Sequence, residues 1–317
     1  MKNAKLAALL LAVLMLLPAA GCGTAPAAQT DTQTEAPTQT AEVYAVTLTD
    51  MAGRTVELER PAERIVALAA ADCEILFALG AGDRLVGRGE YCDYPENVLS
   101  IESVQSGYET NIEQILALAP DVVVLSKMAQ TVEQNEALEN AGVRVVVSDA
   151  QDVDGVYTCI EMLGTLTGLS DRASALAEEM RSAFGEISAS AENDGKTVYF
   201  EVSPLEWGLW TAGSGTFMNE IAQMLGLKNV FDDVDGWAEV DQEQIIERDP
   251  DYIVTITERV DGMPDPAEEI LGRSGWENIT AVKNGMVFTA DSDEMSVPGP
   301  RLVDAARSMR ELICGKK

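Results

Sequence analysis

The chain has 317 residues, 46% of them hydrophobic, and sets 53 acidic side chains against 22 basic ones for a formal charge of −31, with no histidine. A surface this acidic repels nucleic acid and anionic lipid head groups and suits cationic partners. The missing imidazole removes Ser-His-Asp and Cys-His catalysis, zincin motifs and the usual ligands of zinc, copper and haem iron, so an enzyme reading has no catalytic centre and no cofactor is expected.

In chain order, Lys2 and Lys5 precede an apolar run from Leu6 to Leu17, and Pro18-Ala19-Ala20-Gly21-Cys22 follows. The run is short for a membrane span, and small residues before a cysteine mark a processing site. This segment resembles a bacterial lipoprotein signal peptide, with Ala19 where leucine is usual. The resemblance implies removal of residues 1–21 and lipid on Cys22, which leaves a charge of −33 once Lys2 and Lys5 are gone. Residues 22–42 are rich in Thr, Ala, Pro and Gln and cannot repay their ordering entropy, so they read as a disordered tether. The remaining chain is long enough for two domains of about 100–150 residues each. Cys73, Cys92, Cys159 and Cys314 are compatible with a disulfide outside the cell or with buried free thiols.

Val46–Asp50 and Arg54–Leu58 alternate around Met51-Ala52-Gly53 and predict a hairpin. Strand Ile65–Leu68, helix Asp72–Leu79 ended by Gly80, strand Leu85–Gly87 and a loop Glu90–Pro95 follow. Next comes Asn111-Ile112-Glu113-Gln114-Ile115-Leu116, running into Pro120-Asp121-Val122-Val123-Val124. The same arrangement returns 130 residues later as Asp241-Gln242-Glu243-Gln244-Ile245-Ile246, running into Pro250-Asp251-Tyr252-Ile253-Val254. Each copy predicts a short helix with capping-box spacing, Asn111 with Gln114 and Asp241 with Gln244, feeding a strand covered on both faces. Helix Val132–Asn140 and strand Val143–Val147 complete a β-α-β series, which implies a parallel sheet with helices on both faces.

Between the copies, Val153–Leu166 predicts one helix and Asp171–Ser188, capped by Ser170, a long second one. One long helix between two α/β lobes makes a stiff hinge with small closure. A second lobe then follows: strand Thr197–Val202, an aromatic-rich loop Ser203–Gly213, helix Phe217–Leu225 and an acidic loop Asp232–Asp235. After the second copy come a short helix near Glu268–Leu271, a strand Met286–Thr289, and Pro298-Gly299-Pro300-Arg301 opening a closing helix to Ile313. Gly213-Ser214-Gly215 could present amides to an anion or form a tight turn.

The segments Asp72–Gly82, Tyr91-Cys92-Asp93-Tyr94-Pro95, the two Glu-Gln-Ile/Pro-Asp copies, Thr211–Phe217 and Pro298–Arg301 resemble the helical-backbone (class III) substrate-binding lipoproteins of ABC importers, most of all the vitamin B12 and ferric-siderophore branch. The resemblance covers residues 43–314 and implies an α/β fold class with two Rossmann-like lobes joined by one long backbone helix. The divisions are an N-terminal lobe at 43–168, the backbone helix at 169–194 and a C-terminal lobe with its closing helix at 195–317. It also implies an extracytoplasmic, lipid-anchored protein that captures ligand in the cleft between lobes and delivers it to a permease dimer with a cytoplasmic ATPase.

In that family the carboxylates matching Glu113 and Glu243 dock on permease arginines, and a carboxylate in a first helical turn is well placed to do so; the same position also stabilises the helix by about 0.3–1 kcal/mol. Ligand belongs at the carboxyl ends of the strands. Motif match puts Tyr91 and Tyr108 there from the first lobe, and Trp210, Trp237 and Trp207 from the second. Aromatic walls suit a large flat ligand such as a corrin, a haem or an iron catecholate. With no histidine, few arginines in these loops apart from Arg88, and Val297 where many members carry a base before Pro-Gly-Pro-Arg, the expected ligand is a corrinoid, with a ferric siderophore or haem the alternative. A surface sensor of the same fold is a third reading.

Overall fold

The hairpin that opens the first lobe, β1 (Val46–Thr49) with β2 (Thr55–Leu58), is tied by one buried carboxylate. Asp50 accepts from the N–H groups of Ala52 at 3.0 Å, Arg54 at 2.8 Å and Val147 at 3.1 Å, and from the Arg54 guanidinium at 2.9 Å, so the turn is bonded to the neighbouring sheet as well as to itself. The structure is a computed structural model and describes residues 45–127, 129–192, 194–259, 262 and 264–315. The signal-peptide and tether readings, with Cys22, lie outside the described residues.

Beyond the hairpin run β3 (Ile65–Ala67), α1 (Ala70–Leu79), β4 (Leu85–Gly89), β5 (Ser103–Val104), α2 (Ile112–Ala117), β6 (Val122–Ser126), α3 (Val132–Asn140) and β7 (Arg144–Ser148). The strands form one parallel sheet in the order β5-β4-β3-β6-β7. Val122 to Leu125 are wholly buried, as a strand covered on both faces requires.

Two helices lead out of this sheet, α4 (Val153–Thr167) and α5 (Ser170–Ala189). The 20 residues of α5 span about 30 Å. Its buried stripe, Ala173, Leu176, Ala177, Met180, Phe184 and Ile187, follows helical spacing and belongs to a core shared with elements of both lobes. Gly164 makes the α4–α5 contact possible, since a Cβ there would fall 2.4 Å from that of Ala173. Ser170 does not cap α5, contrary to expectation. Gly168 ends α4 in the left-handed conformation, the Leu169 N–H closes back on the Gly164 carbonyl at 2.7 Å, and Ser170 is already helical. The connection is too tight to leave a separate capping residue.

The second lobe contains β8 (Thr197–Glu201), β9 (Leu209–Ala212), α6 (Phe217–Met224), β10 (Lys228–Asn229), β11 (Trp237–Val240), α7 (Gln242–Arg248), β12 (Tyr252–Thr255), α8 (Pro266–Leu271), α9 (Thr280–Asn284), β13 (Val287–Thr289), α10 (Ser292–Ser296) and α11 (Leu302–Cys314). Its parallel sheet has the order β10-β8-β12-β13. The segment expected as a loop over Ser203–Gly213 is half strand, because β9 pairs antiparallel with β11 in a separate ribbon. Gly213-Ser214-Gly215 is a turn: Gly213 donates to the Gly236 carbonyl at 2.8 Å and Ser214 to that of Val234 at 2.7 Å.

The two Pro-Asp copies do the same structural work. Ala119 and Asp249, matching positions, both adopt positive φ, at 46° and 44°. The next aspartates stitch each strand to its neighbour: Asp121 accepts from the Glu63 and Arg64 amides at 3.1 Å, and Asp251 from the Thr197 amide at 3.0 Å and from Lys196 at 2.7 Å. The helix starts differ. Asp241 and Gln244 form a full capping box, whereas Gln114 turns away from Asn111 to accept from the Gln105 amide at 3.1 Å, which leaves the first box half made.

Candidate functional site

Parallel strands end in divergent loops, and that divergence is where an α/β sheet leaves room. In the second lobe β8 ends at Glu201 and β12 at Thr255, and the segments beyond them separate around a cavity of about 790 Å³. That falls in the range of small-molecule sites. Trp207 forms part of its wall, with Ile256, Glu258, Glu269 and Ser296 around it.

Glu201, also on the wall, is nearly inaccessible, and it survives there because a guanidinium meets it. Arg273, equally buried, gives Glu201 two hydrogen bonds at 2.9 and 3.1 Å, bonds Glu269 as well, and lies 4.3 Å over the Trp276 ring. Burial pushes the Glu201 carboxyl up, and the Arg273 hydrogen bonds pull it back only in part. Burial also works against the Arg273 charge, yet the bonds to Glu201 and Glu269 outweigh it and hold the guanidinium above its ordinary value. The two groups face each other inside the protein, so each offsets the burial of the other.

Trp207 closes a 3₁₀ turn, Leu205–Trp207, and is 76% exposed. Gly208, at φ 88°, supplies the backbone turn that sends the chain from there into β9. Trp210 lies on β9 and is 40% exposed. From the first lobe, Tyr91 is 78% exposed on the loop after β4. That loop is shaped from beneath by Arg88, whose Nη1 donates to the carbonyls of Gly89 at 3.1 Å and Cys92 at 3.0 Å. Arg88 thus organises the loop backbone. The Tyr108 side chain lies outside the described residues.

The Tyr91 loop is brought beside the second lobe by Arg301, the last residue of the Pro-Gly-Pro-Arg segment. Arg301 pairs with the buried Glu74 of α1 at 2.5 and 3.0 Å and lies 4.2 Å over the Tyr94 ring. Burial raises the Glu74 pKa despite that partner. Asp93 on the same loop is close enough to raise the pKa of Asp293 on α10, where burial is the larger cause, and α10 lines the cavity through Ser292 and Ser296.

Trp237 occupies a different place from the other tryptophans. Half-buried, it packs edge-on against Phe217 with ring centroids 5.5 Å apart, and its indole N–H donates to Gln151 at 3.2 Å. Phe217 in turn donates from its backbone to the Gln151 carbonyl at 2.9 Å. Trp237 therefore belongs to the seam where the lobes meet. Of the aromatic residues singled out from sequence, the structure brings Trp207 onto the cavity wall, leaves Trp210 and Tyr91 exposed outside its lining, and packs Trp237 between the lobes.

Glu113 and Glu243 are both exposed and stand at the same position, second in α2 and second in α7. Sequence reasoning did not find the Arg273–Glu201 pair or the carboxylates around the cavity. One signal was available: a glutamate, Glu201, ending the apolar strand Val198-Tyr199-Phe200, where an acid is stable only with a partner. Cys73, Cys92 and Cys159 are buried free thiols and Cys314 is an exposed one. Among the described residues no helix is long and apolar enough to cross a membrane.

The sequence profile of the periplasmic binding protein family matches residues 65–294. An uncharacterised ABC transporter substrate-binding lipoprotein of Bacillus subtilis, YvrC, is 36% identical over 314 residues, covering 97% of this chain and 95% of its own. The vitamin B12-binding protein of Pectobacterium carotovorum is 27% identical over 253 residues, or 78% of this chain and 87% of that one. A crystal structure of a possible iron-binding, periplasmic solute-binding protein from Staphylococcus epidermidis superposes with a TM-score of 0.69 at 30% identity, over 80% of this chain and 99% of that one. With two parallel-sheet lobes, a long helix between them and a duplicated Glu-Gln-Ile/Pro-Asp element, the chain belongs to the periplasmic binding protein family and is the substrate-binding component of an ABC transporter, which implies a permease and an ATPase as its partners.

Proposed function

We propose that this protein captures a corrinoid outside the cytoplasmic membrane and hands it to the permease, binding and releasing it without chemistry. The observation that carries the reading is the cavity of about 790 Å³ at the carboxyl ends of β8 and β12, walled by Trp207. A flat, rigid ring fits such a site at low entropic cost, with Tyr91 and Tyr108 on one side and Trp207 and Trp210 on the other. Trp237, at the seam, supports the wall. Glu113 and Glu243 are the proposed docking points for permease arginines, and Cys22 is the proposed lipid anchor. The likeness to a B12-binding protein favours the corrinoid, and the likeness to a possible iron-binding protein favours a ferric siderophore or haem as the second reading.

A titration of the mature protein with cyanocobalamin, haem and ferric siderophores separates these readings. Saturable quenching of tryptophan emission by the corrinoid at micromolar concentration or below is the expected result. Quenching by a ferric siderophore with none by cobalamin overturns the corrinoid assignment and leaves the transport role standing.

A further inference from the structure

We infer that the second-lobe cavity selects its ligand by charge, admitting neutral and cationic molecules that bring hydrogen-bond donors and turning away anions. The inference rests on the reading that ligand enters this cavity, and it goes beyond the choice of corrinoid. Four carboxylates line the space: Glu201, Glu206, Glu258 and Glu269. Among the described lining residues there is no lysine or arginine.

Three arginines of the neighbouring segments are each paired with a carboxylate. Arg273, beneath the wall, is 3% exposed in its side chain and directs its guanidinium at Glu201 and Glu269. Arg259 binds Asp265 at 2.7 Å, and Arg301 is held by Glu74. Glu206 and Glu258 have no ion pair among the described residues, and both are exposed while lining the cavity. Ligand carboxylates, phenolates or sulfonates arriving there meet like charge, and an ammonium or a cationic metal complex meets opposite charge; amide and hydroxyl donors find carboxylate acceptors. The rest of the wall is apolar at Pro204, Ile256, Pro264 and Pro266, and its side-chain donors, the hydroxyls of Ser203, Thr257, Ser292 and Ser296 and the Trp207 indole, are uncharged and do not offset the carboxylates.

Because Glu206 and Glu258 are exposed, their field is screened over about 8–10 Å at physiological salt, so the preference must fade as ionic strength rises. The test uses two ligand series in which charge changes on a constant scaffold. In the first, only the upper axial ligand on cobalt differs: aquacobalamin at pH 6 carries one more positive charge than cyanocobalamin, and sulfitocobalamin one more negative. In the second, ferrioxamine B with its free ammonium is compared with its N-acetyl and N-succinyl derivatives.

Dissociation constants of the mature protein are expected to order cation, neutral, anion, with about tenfold or more between the ends at low salt. That factor is about 1.4 kcal/mol. The spread should collapse in 0.5 M sodium chloride, on the order of a 4 Å Debye length, and in the Glu206→Gln/Glu258→Gln double variant, whose altered side chains are exposed and leave the core intact. A flat or reversed order in the unaltered protein overturns the inference, as does a double variant that keeps the full spread. Binding of cyanocobalamin with a flat charge order defeats charge selection alone. Charge-ordered binding of the ferrioxamines with no corrinoid bound upholds charge selection and defeats the corrinoid reading. Failure of both series to bind overturns both.

Discussion

The two lobes share a plan and differ at the place where it matters, the carboxyl ends of their strands. In the first lobe that end carries a buried carboxylate with no cation partner among the described residues: Asp72 of α1 accepts from Ser148, the last residue of β7, at 2.9 Å and from Cys159 at 3.6 Å. Burial pushes its carboxyl up to about 6 from an ordinary 3.8, more than those two hydrogen bonds pull it down. In the second lobe the corresponding end carries Glu201, matched by Arg273, and remains open as a cavity. One lobe places a buried carboxyl of raised pKa at its strand ends; the other holds a compensated charge at the edge of a ligand-sized space. A duplicated scaffold can thus keep an aspartate stitching strand to strand at Asp121 and Asp251 while the strand ends of the two copies diverge.

The largest test of this contrast removes the compensation. Arg273→Met strands the Glu201 charge in the interior and is expected to destabilise the protein by about 3–5 kcal/mol in a denaturant melt. Adding Glu201→Met should restore most of that loss, since an apolar pair needs no compensation. If Arg273→Met is neutral, the pair does not govern the second lobe.

The first lobe should respond with the opposite sign. Because the folded pKa of Asp72 lies above its unfolded value, its contribution to stability is fully present below about pH 3.8 and is lost as pH rises through about 6. Asp72→Asn is therefore expected to match the unaltered protein near pH 4 and to exceed it at pH 8 by up to about 3 kcal/mol. Equal pH profiles for the two proteins would show that Asp72 is already charged without penalty.

Smaller effects separate the helix starts. Asp241→Ala dismantles a complete capping box and should cost about 1–2 kcal/mol, against about 0.5–1 kcal/mol for Asn111→Ala, whose box is half made. Equal losses in thermal melts would mean that Gln244 adds nothing to the second cap. Smallest of all for the fold are Glu113→Arg and Glu243→Arg at exposed positions, expected to change stability by under about 0.5 kcal/mol. Ligand affinity should hold while uptake in reconstituted transport falls; normal transport by the double variant contradicts the docking role.

Much of the scaffold was legible because the physics that builds it is local. Val122-Val123-Val124 identifies a buried strand by composition alone, Asp241 and Gln244 bracket the start of α7, and Gly80 ends α1. What escaped was made by distance in sequence. The β9–β11 ribbon pairs Leu209–Ala212 with Trp237–Val240 across helix α6, and its first strand lies in a stretch of Pro, Gly and Trp that reads as loop. The cavity wall assembles Glu201–Trp207, Ile256–Glu258, Pro264–Glu269 and Ser292–Ser296, and Arg273 reaches its partner across 72 positions. Trp237 shows the same limit: its type and its neighbourhood marked it as a ligand wall, while Gln151 and Phe217, remote in sequence, set it in the seam.

A ligand held at the open strand ends of the second lobe, facing the Tyr91 loop of the first, can be seen in place. Crystals of the mature protein grown with cyanocobalamin locate the metal directly, by anomalous scattering at the cobalt edge. The account predicts one cobalt peak between the Tyr91 loop and the Trp207–Trp210 segment, over the cavity edged by Glu206 and Glu258. A peak elsewhere on the molecule, or none at saturating ligand, contradicts it.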